Sequence, residues 1–188
     1  MHHNGSSPGT AVFKEKTMQK VNRLMITPNP VADLYGIYAK YGYRLATAES
    51  CTGGLVGGLL TSQPGISSVY AGGFITYTNQ MKTELLGVPS ELIDRYTEVS
   101  APVAKAMAQG ARERTGADVA ISLTGVAGPG GGSEKTPVGT VYIGVSSQGR
   151  TFAVRYCMPP YLPRHEIRSR AALLALTLAV RQAKNIKP

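Results

Sequence analysis

The chain has 188 residues, 43% hydrophobic and 16% charged, with a formal net charge of +9. That length supports one domain with a sizeable core, and the apolar fraction excludes a disordered or fibrous chain. There is no run of 18 apolar residues, no secretory signal pattern and no disulfide framework from Cys51 and Cys157 alone, so a cytoplasmic protein that does not enter a membrane is expected.

The charge is unevenly placed. Residues 150–188 hold eight basic side chains and one acidic one, against twelve and ten in residues 1–149. A basic end of this kind attracts nucleic acid, an anionic partner or a phosphorylated substrate, or it is simply a solvated helix face. It has no interleaved aromatic side chains and no recognition motif, so nucleic acid ranks last among these readings.

Residues 1–29 begin as a Gly/Ser/Pro-rich polar stretch and read as a tail, leaving residues 30–185 as the single expected domain. Val31, Leu34, Tyr35 and Tyr38 stand at helical spacing after Pro30, with Gly42 as the stop. Arg44–Ala48 reads as a strand leading into Glu49-Ser50-Cys51-Thr52-Gly53-Gly54, and Leu55–Leu60 as a small-residue helix. Gly73–Thr78 is β-rich, and Asn79 is the expected cap of a helix reaching Leu86. A short helix is expected over Ser90–Tyr96 and a longer one over Ala101–Thr115, capped by Ser100 and stopped by Gly116.

Asp118–Leu123 then reads as a strand, followed by a glycine run over Gly125–Gly132. Val138–Ser147 and Thr151–Met158 form an expected hairpin about Gln148-Gly149. The last helix starts near Pro163, has Glu166 in its first turn, and carries the stripe Ile167, Ala171, Leu174 and Leu178. Strands alternating with helices imply a layered α/β domain around a mixed sheet.

Two segments carry the candidate chemistry. In Thr47–Gly54 a strand ends at a serine and a Gly-Gly turn opens a helix, which aims backbone N–H groups at one point. Such donors hold an oxyanion during acyl transfer or a phosphate in a binding site. Ser50 as nucleophile needs a base. His2 and His3 lie in the tail, so the choices are His165 and Lys82. Lys82 falls in the first turn of a helix begun at Asn79, where the macrodipole disfavours a cation and favours the neutral amine a base requires. Cys51 is a rival nucleophile at the same helix N-terminus, or a small buried hydrophobe. The second segment, Ser122–Ser133, again follows a strand, and its amides and Thr124 suit a phosphate or ribose. No cluster has metal-ligand spacing, and no cofactor is expected.

Taken together, T-A-E-S-C-T-G-G (47–54), G-F-I-T-Y-T-N-Q-M-K (73–82), Val99-Ser100, L-T-G-V-A-G-P (123–129) and P-V-G-T-V (137–141) resemble one family, the CinA C-terminal domain with its stand-alone PncC form. The similarity runs over about residues 31–184. The resemblance implies a single-domain, three-layer α/β sandwich without a required metal, a homo-oligomer, and deamidation of nicotinamide mononucleotide to nicotinic acid mononucleotide and ammonia. By motif it places the nucleophile at Ser50 and the base at Lys82. The Thr52 and Gly53 amides would then hold the oxyanion, while Tyr77, Asn79, Thr124 and Gly125 shape the site around the nucleotide. Arg164, a turn before Arg168, is expected to help hold the phosphate. Relatives commonly begin the last helix after Gly-Asp-Arg, whereas this chain has Tyr161-Leu162-Pro163-Arg164. The competing reading is a non-catalytic nucleotide- or phosphate-binding module, in which Ser50 only donates a hydrogen bond.

Overall fold

A computed structural model describes residues 27–186. The expected tail over residues 1–29 therefore lies almost wholly outside the described residues. Helix α1 (Pro30–Tyr41) begins with a proline at its first position, where no N–H is needed, and the Asn29 side chain caps it by accepting from the Ala32 amide. Gly42 ends it in the left-handed conformation, as its position predicts.

Strand β1 (Leu45–Glu49) leads to helix α2 (Leu55–Thr61) and, after a 3-10 turn at Ile66–Ser68, to strand β2 (Tyr70–Ile75). Helices α3 (Asn79–Leu86), α4 (Ser90–Tyr96) and α5 (Ala101–Thr115) follow, then strands β3 (Val119–Gly125), β4 (Thr140–Ser147) and β5 (Arg150–Cys157), and helix α6 (Arg164–Ala183).

The five strands form one mixed sheet in the order β2-β1-β3-β4-β5. Strand β1 runs parallel to both β2 and β3, while β3–β4 and β4–β5 are antiparallel. The two-residue side-chain period sorts the core into two halves. Leu45, Val119, Ile121 and Leu123 pack with α1, α2 and α6 on one face, where Tyr38, Leu60 and Ile167 are fully buried. Ala46, Ala48 and Ala120 pack with α3, α4 and α5 on the other, against Val103, Met107 and Ile93. The result is a three-layer α/β sandwich. Alanines suffice on the second face because α5 lies close to the sheet: the Ser122 hydroxyl donates to the Ala104 carbonyl at 2.6 Å.

Two expectations shift. Strand β2 ends at Ile75, so the β-rich residues Thr76–Thr78 are not strand. The chain leaves the sheet where its partner β1 stops, and the Thr76 amide donates the last bond to the Glu49 carbonyl at 2.8 Å. The cap of α3 is Thr78, whose Oγ1 accepts from the Met81 amide at 3.2 Å, and Asn79 is the first helical residue. Lys82 is thus the fourth residue of α3, still at its N-terminal end.

The basic residues of the C-terminal segment do not form one face. Arg150 lies over Phe152, Arg155 lies over Tyr142, and Arg170 pairs with Glu166 at 2.9 Å. Arg164 and Arg168 turn toward the ends of β1 and β3. Among the described residues no helix is long and apolar enough to cross a membrane.

Candidate functional site

Strand order decides where a site can form. From β1 the chain crosses through α2 to β2 on one side, while β3, reached through α3–α5, lies on the other side of β1. The chain therefore diverges at the carboxyl ends of the neighbouring parallel strands β1 and β3, which is where open α/β sheets form their crevice. Glu49 pairs with Leu123 in register, and the Ser50 amide extends the ladder by donating to the Leu123 carbonyl at 3.0 Å. Ser50 and Thr124-Gly125 are brought together by this pairing. A cavity of about 250 Å³ opens there, lined by Ser50, Cys51, Tyr77, Glu98, Thr124 and Arg164 along with the 125–131 segment.

The turn after β1 is held by two charged side chains. Glu49 lies on the Leu45 and Thr47 face of β1 and is almost fully buried. Its Oε2 accepts from the Gly54 and Val56 amides at 3.0 and 3.1 Å, and its Oε1 from the Gly57 amide at 2.9 Å. A carboxylate thus satisfies three of the open N–H groups at the start of α2 and lies at the positive end of its dipole. From helix α6 Arg168 donates through Nε to the Cys51 carbonyl at 3.2 Å and through Nη2 to the Thr52 carbonyl at 2.6 Å. Gly53 and Gly54 both take positive φ values, 58° and 94°, which fits the need for glycine at the tight reversal.

Lys82 faces this turn from α3. Its Nζ is 3.3 Å from Ser50 Oγ and donates toward the Tyr77 and Thr78 carbonyls at 3.5 Å. The side chain is fully buried, and this loss of water lowers its pKa from the ordinary lysine value, opposed by the Glu98 carboxylate. The same burial pushes the Cys51 thiol up to about 12, so Cys51 is protonated at neutral pH. It is the buried small hydrophobe rather than a reactive thiolate.

The other expected site residues separate into three groups. Tyr77 and Arg164 are exposed at the rim and joined, Arg164 Nη2 donating to the Tyr77 hydroxyl at 3.3 Å and Nη1 to the Gly128 carbonyl at 2.8 Å. Thr124 lines the cavity, but it is buried and its hydroxyl donates to the Glu98 carbonyl at 2.7 Å. Gly125 ends β3, where a side chain would run into the Thr140 carbonyl and Val141. Asn79 lies outside the cavity: it lines a separate depression between α3 and α4 with Thr83 and Asp94, because the cap and the turn of α3 point it away.

The Gly53 amide is also taken, donating to the Ser50 carbonyl at 3.1 Å within the turn. Among the described residues no backbone or side-chain oxygen accepts from the Thr52 amide, which leaves it open, while the Thr52 hydroxyl is buried without a partner. His165 is exposed on α6 and does not line the cavity. Arg168, expected beside Arg164 at a phosphate, instead holds the turn after β1.

Glu49, Glu98 and Arg168 are the residues that the sequence did not single out for these positions. Glu49 had a readable signal, an acid ending a buried strand directly before a glycine turn and a helix. Glu98 had none, because only the packing of the α4–α5 connection brings it to the cavity. Among the described residues no group of three His, Cys, Asp or Glu side chains is placed to hold a metal ion.

Comparison with known proteins agrees with the fold. The family model described as "CinA C-terminal domain" matches residues 31–183. A CinA-like protein of Gemmatimonas aurantiaca is 52% identical over 132 residues, covering 70% of this chain and 30% of that protein. A CinA-like protein of Mycolicibacterium gilvum is 48% identical over 137 residues, covering 73% and 32%. The chain thus spans about a third of the length of these curated relatives. Among solved structures, the competence/damage inducible protein CihA from Agrobacterium tumefaciens superposes with a TM-score of 0.78 at 36% identity, covering 84% of this chain and 97% of that one. The competence damage-inducible protein A from Klebsiella pneumoniae gives 0.80 at 30% identity, with the same coverages.

Proposed function

The chain belongs to the CinA C-terminal-domain family, and we propose that it hydrolyses the carboxamide of nicotinamide mononucleotide, releasing nicotinic acid mononucleotide and ammonia. The observation that carries this reading is the buried contact of Lys82 Nζ with Ser50 Oγ at 3.3 Å, at the mouth of a cavity of about 250 Å³. An alcohol is a weak nucleophile unless a base takes its proton, and a lysine is such a base only when neutral. Burial moves Lys82 in that direction.

In the proposed reaction the neutral Lys82 amine accepts the Ser50 hydroxyl proton while Oγ attacks the carboxamide carbon. The carbonyl oxygen becomes an oxyanion, and the open Thr52 amide, two residues after Ser50, is a donor available to it. When the C–N bond breaks, Lys82 returns its proton to the departing amine, which leaves as ammonia. Water then attacks the Ser50 ester, Lys82 takes its proton and passes it back to Oγ, and the acid is released. Glu49 and Arg168 position the turn that carries Ser50 and Thr52. Tyr77 and Arg164 at the rim supply a hydroxyl and a guanidinium suited to a phosphate.

Ammonia release from nicotinamide mononucleotide by the purified chain tests the reading. The expected result is steady release that Ser50→Ala abolishes and Cys51→Ala retains. Binding of the nucleotide without ammonia would establish the non-catalytic module instead. Loss of release in Cys51→Ala but not in Ser50→Ala would move the nucleophile to Cys51.

A further inference from the structure

Glu98 is the one acid among the described residues that line the cavity. Its backbone is held by three successive constraints. Thr97, just before it, takes a φ of 64°, a conformation that a β-branched residue adopts only when its surroundings impose it. The Thr97 carbonyl accepts from the Ser100 hydroxyl at 2.9 Å. The Glu98 carbonyl accepts from the buried Thr124 hydroxyl at 2.7 Å, which ties residue 98 to the end of β3 beside Ser50. These contacts fix the main chain at residue 98 beside the cavity, while the Glu98 side chain itself is exposed.

The charges around the cavity define what the carboxylate meets. Arg164 is engaged with Gly128 and Tyr77 at the rim. Lys82, whose charge interacts with the Glu98 carboxylate, must be neutral when it serves as a base, and it then no longer offsets the carboxylate. With Lys82 neutral, a negative charge is therefore left on the exposed Glu98 side chain, which lines the cavity that holds the reacting carboxamide. An N-substituted pyridinium carries a permanent positive charge on the ring that bears the carboxamide. A neutral aromatic amide of the same shape does not.

We propose that Glu98 is a specificity-determining residue that selects ligands whose carboxamide is borne on a cationic ring. The proposal rests on the amidase reading for the placement of the carboxamide at Ser50, but the charge preference itself is a property of binding. An ion pair in a water-accessible cavity of this kind gives about a fivefold preference.

The test uses the full chain carrying Ser50→Ala, so that no ligand is turned over. Calorimetry compares nicotinamide mononucleotide with benzamide riboside 5′-monophosphate, its neutral-ring counterpart. The Ser50→Ala protein is expected to bind the cationic ligand about fivefold more tightly. Adding Glu98→Gln, which keeps the shape and removes the charge, is expected to erase that preference and leave the neutral ligand's affinity unchanged. Equal weakening of both ligands by Glu98→Gln, no change in either, or no binding of either before the substitution overturns the proposal.

Ammonia release by the unsubstituted chain is measured in parallel and separates the two ideas. Release without a Glu98-dependent preference refutes the selection and leaves the amidase reading standing. A Glu98-dependent preference without release refutes the amidase reading and leaves the cation site standing.

Discussion

Substituting Glu49 by Gln tests how the turn that carries Ser50 is held. The carboxylate accepts from three backbone amides at 2.9–3.1 Å and is almost fully buried. A glutamine has one acceptor oxygen. Facing Gly54 and Val56, that oxygen keeps two bonds and presents its amino group to the Gly57 N–H, a donor against a donor. The stranded donor costs about 1–3 kcal/mol, and losing the negative charge at the helix N-terminus adds about 0.3–2 kcal/mol. A total of about 1–5 kcal/mol lowers the melting temperature of a domain this size by roughly 3–20 °C. Thermal unfolding followed by circular dichroism reads the loss. Ammonia release at 25 °C should show kcat falling by an order of magnitude or more while folded protein remains, because a small displacement of Ser50 is enough to misalign attack. A melting temperature within about 2 °C of the unsubstituted chain, with unchanged kcat, would refute the claim that Glu49 positions this turn.

Three further substitutions separate the roles of the cations. Arg168→Lys loses the paired donation to the Cys51 and Thr52 carbonyls, so kcat should fall about tenfold with KM nearly unchanged; a selective rise in KM for the phosphorylated substrate would make Arg168 a phosphate ligand instead. Arg164→Ala should raise KM for the mononucleotide much more than for its dephosphorylated riboside, and equal effects on both would make Arg164 structural. Lys82→Met removes a buried amine whose folded pKa lies below its unfolded one. In the pH range between those two values the unfolded chain binds more protons, so the lysine's destabilising effect shrinks as pH rises through it. Lys82→Met should therefore melt higher than the unsubstituted chain near neutral pH, by about 2–4 °C for each kcal/mol recovered, and the gap should narrow toward pH 10. A gap that widens with pH would contradict the assigned direction.

Much of this architecture was legible from short-range patterns. Gly42 and Gly116 end their helices in the left-handed conformation that their positions imply, and Ser100 caps α5 through the Val103 amide. The stripe on α6 is buried as its spacing requires. The limits arise where tertiary pairing overrides local preference. Thr76–Thr78 has strand composition, yet β1 ends at Glu49 and offers no further partner. Thr78 and Asn79 are both good caps, and the path of the chain out of β2 gives the position to Thr78. In the candidate site, Ser50 and Lys82 stand 32 residues apart in sequence, and their juxtaposition follows from the register of β1 with β2, Glu49 opposite Ile75. Arg168 was visible as a cation one turn from Arg164, but its target is backbone carbonyls, which no sequence pattern marks. Glu98 reaches the cavity through the α4–α5 connection, whose path rests on the Ser100 and Thr124 hydroxyls donating to the carbonyls of residues 97 and 98, contacts that no local pattern marks.

The central claim is that Lys82 moves a proton to and from Ser50 rather than only supplying charge. The measurement that tests it most directly is kcat for ammonia release from nicotinamide mononucleotide against pH, in the unsubstituted chain and in Lys82→Arg. Arginine keeps the positive charge and does not deprotonate in this range. With the base role, kcat of the unsubstituted chain rises with pH through the lowered pKa of Lys82, and Lys82→Arg is inactive at every pH. A Lys82→Arg protein that retains kcat within about tenfold, with the same rise in pH, would contradict it.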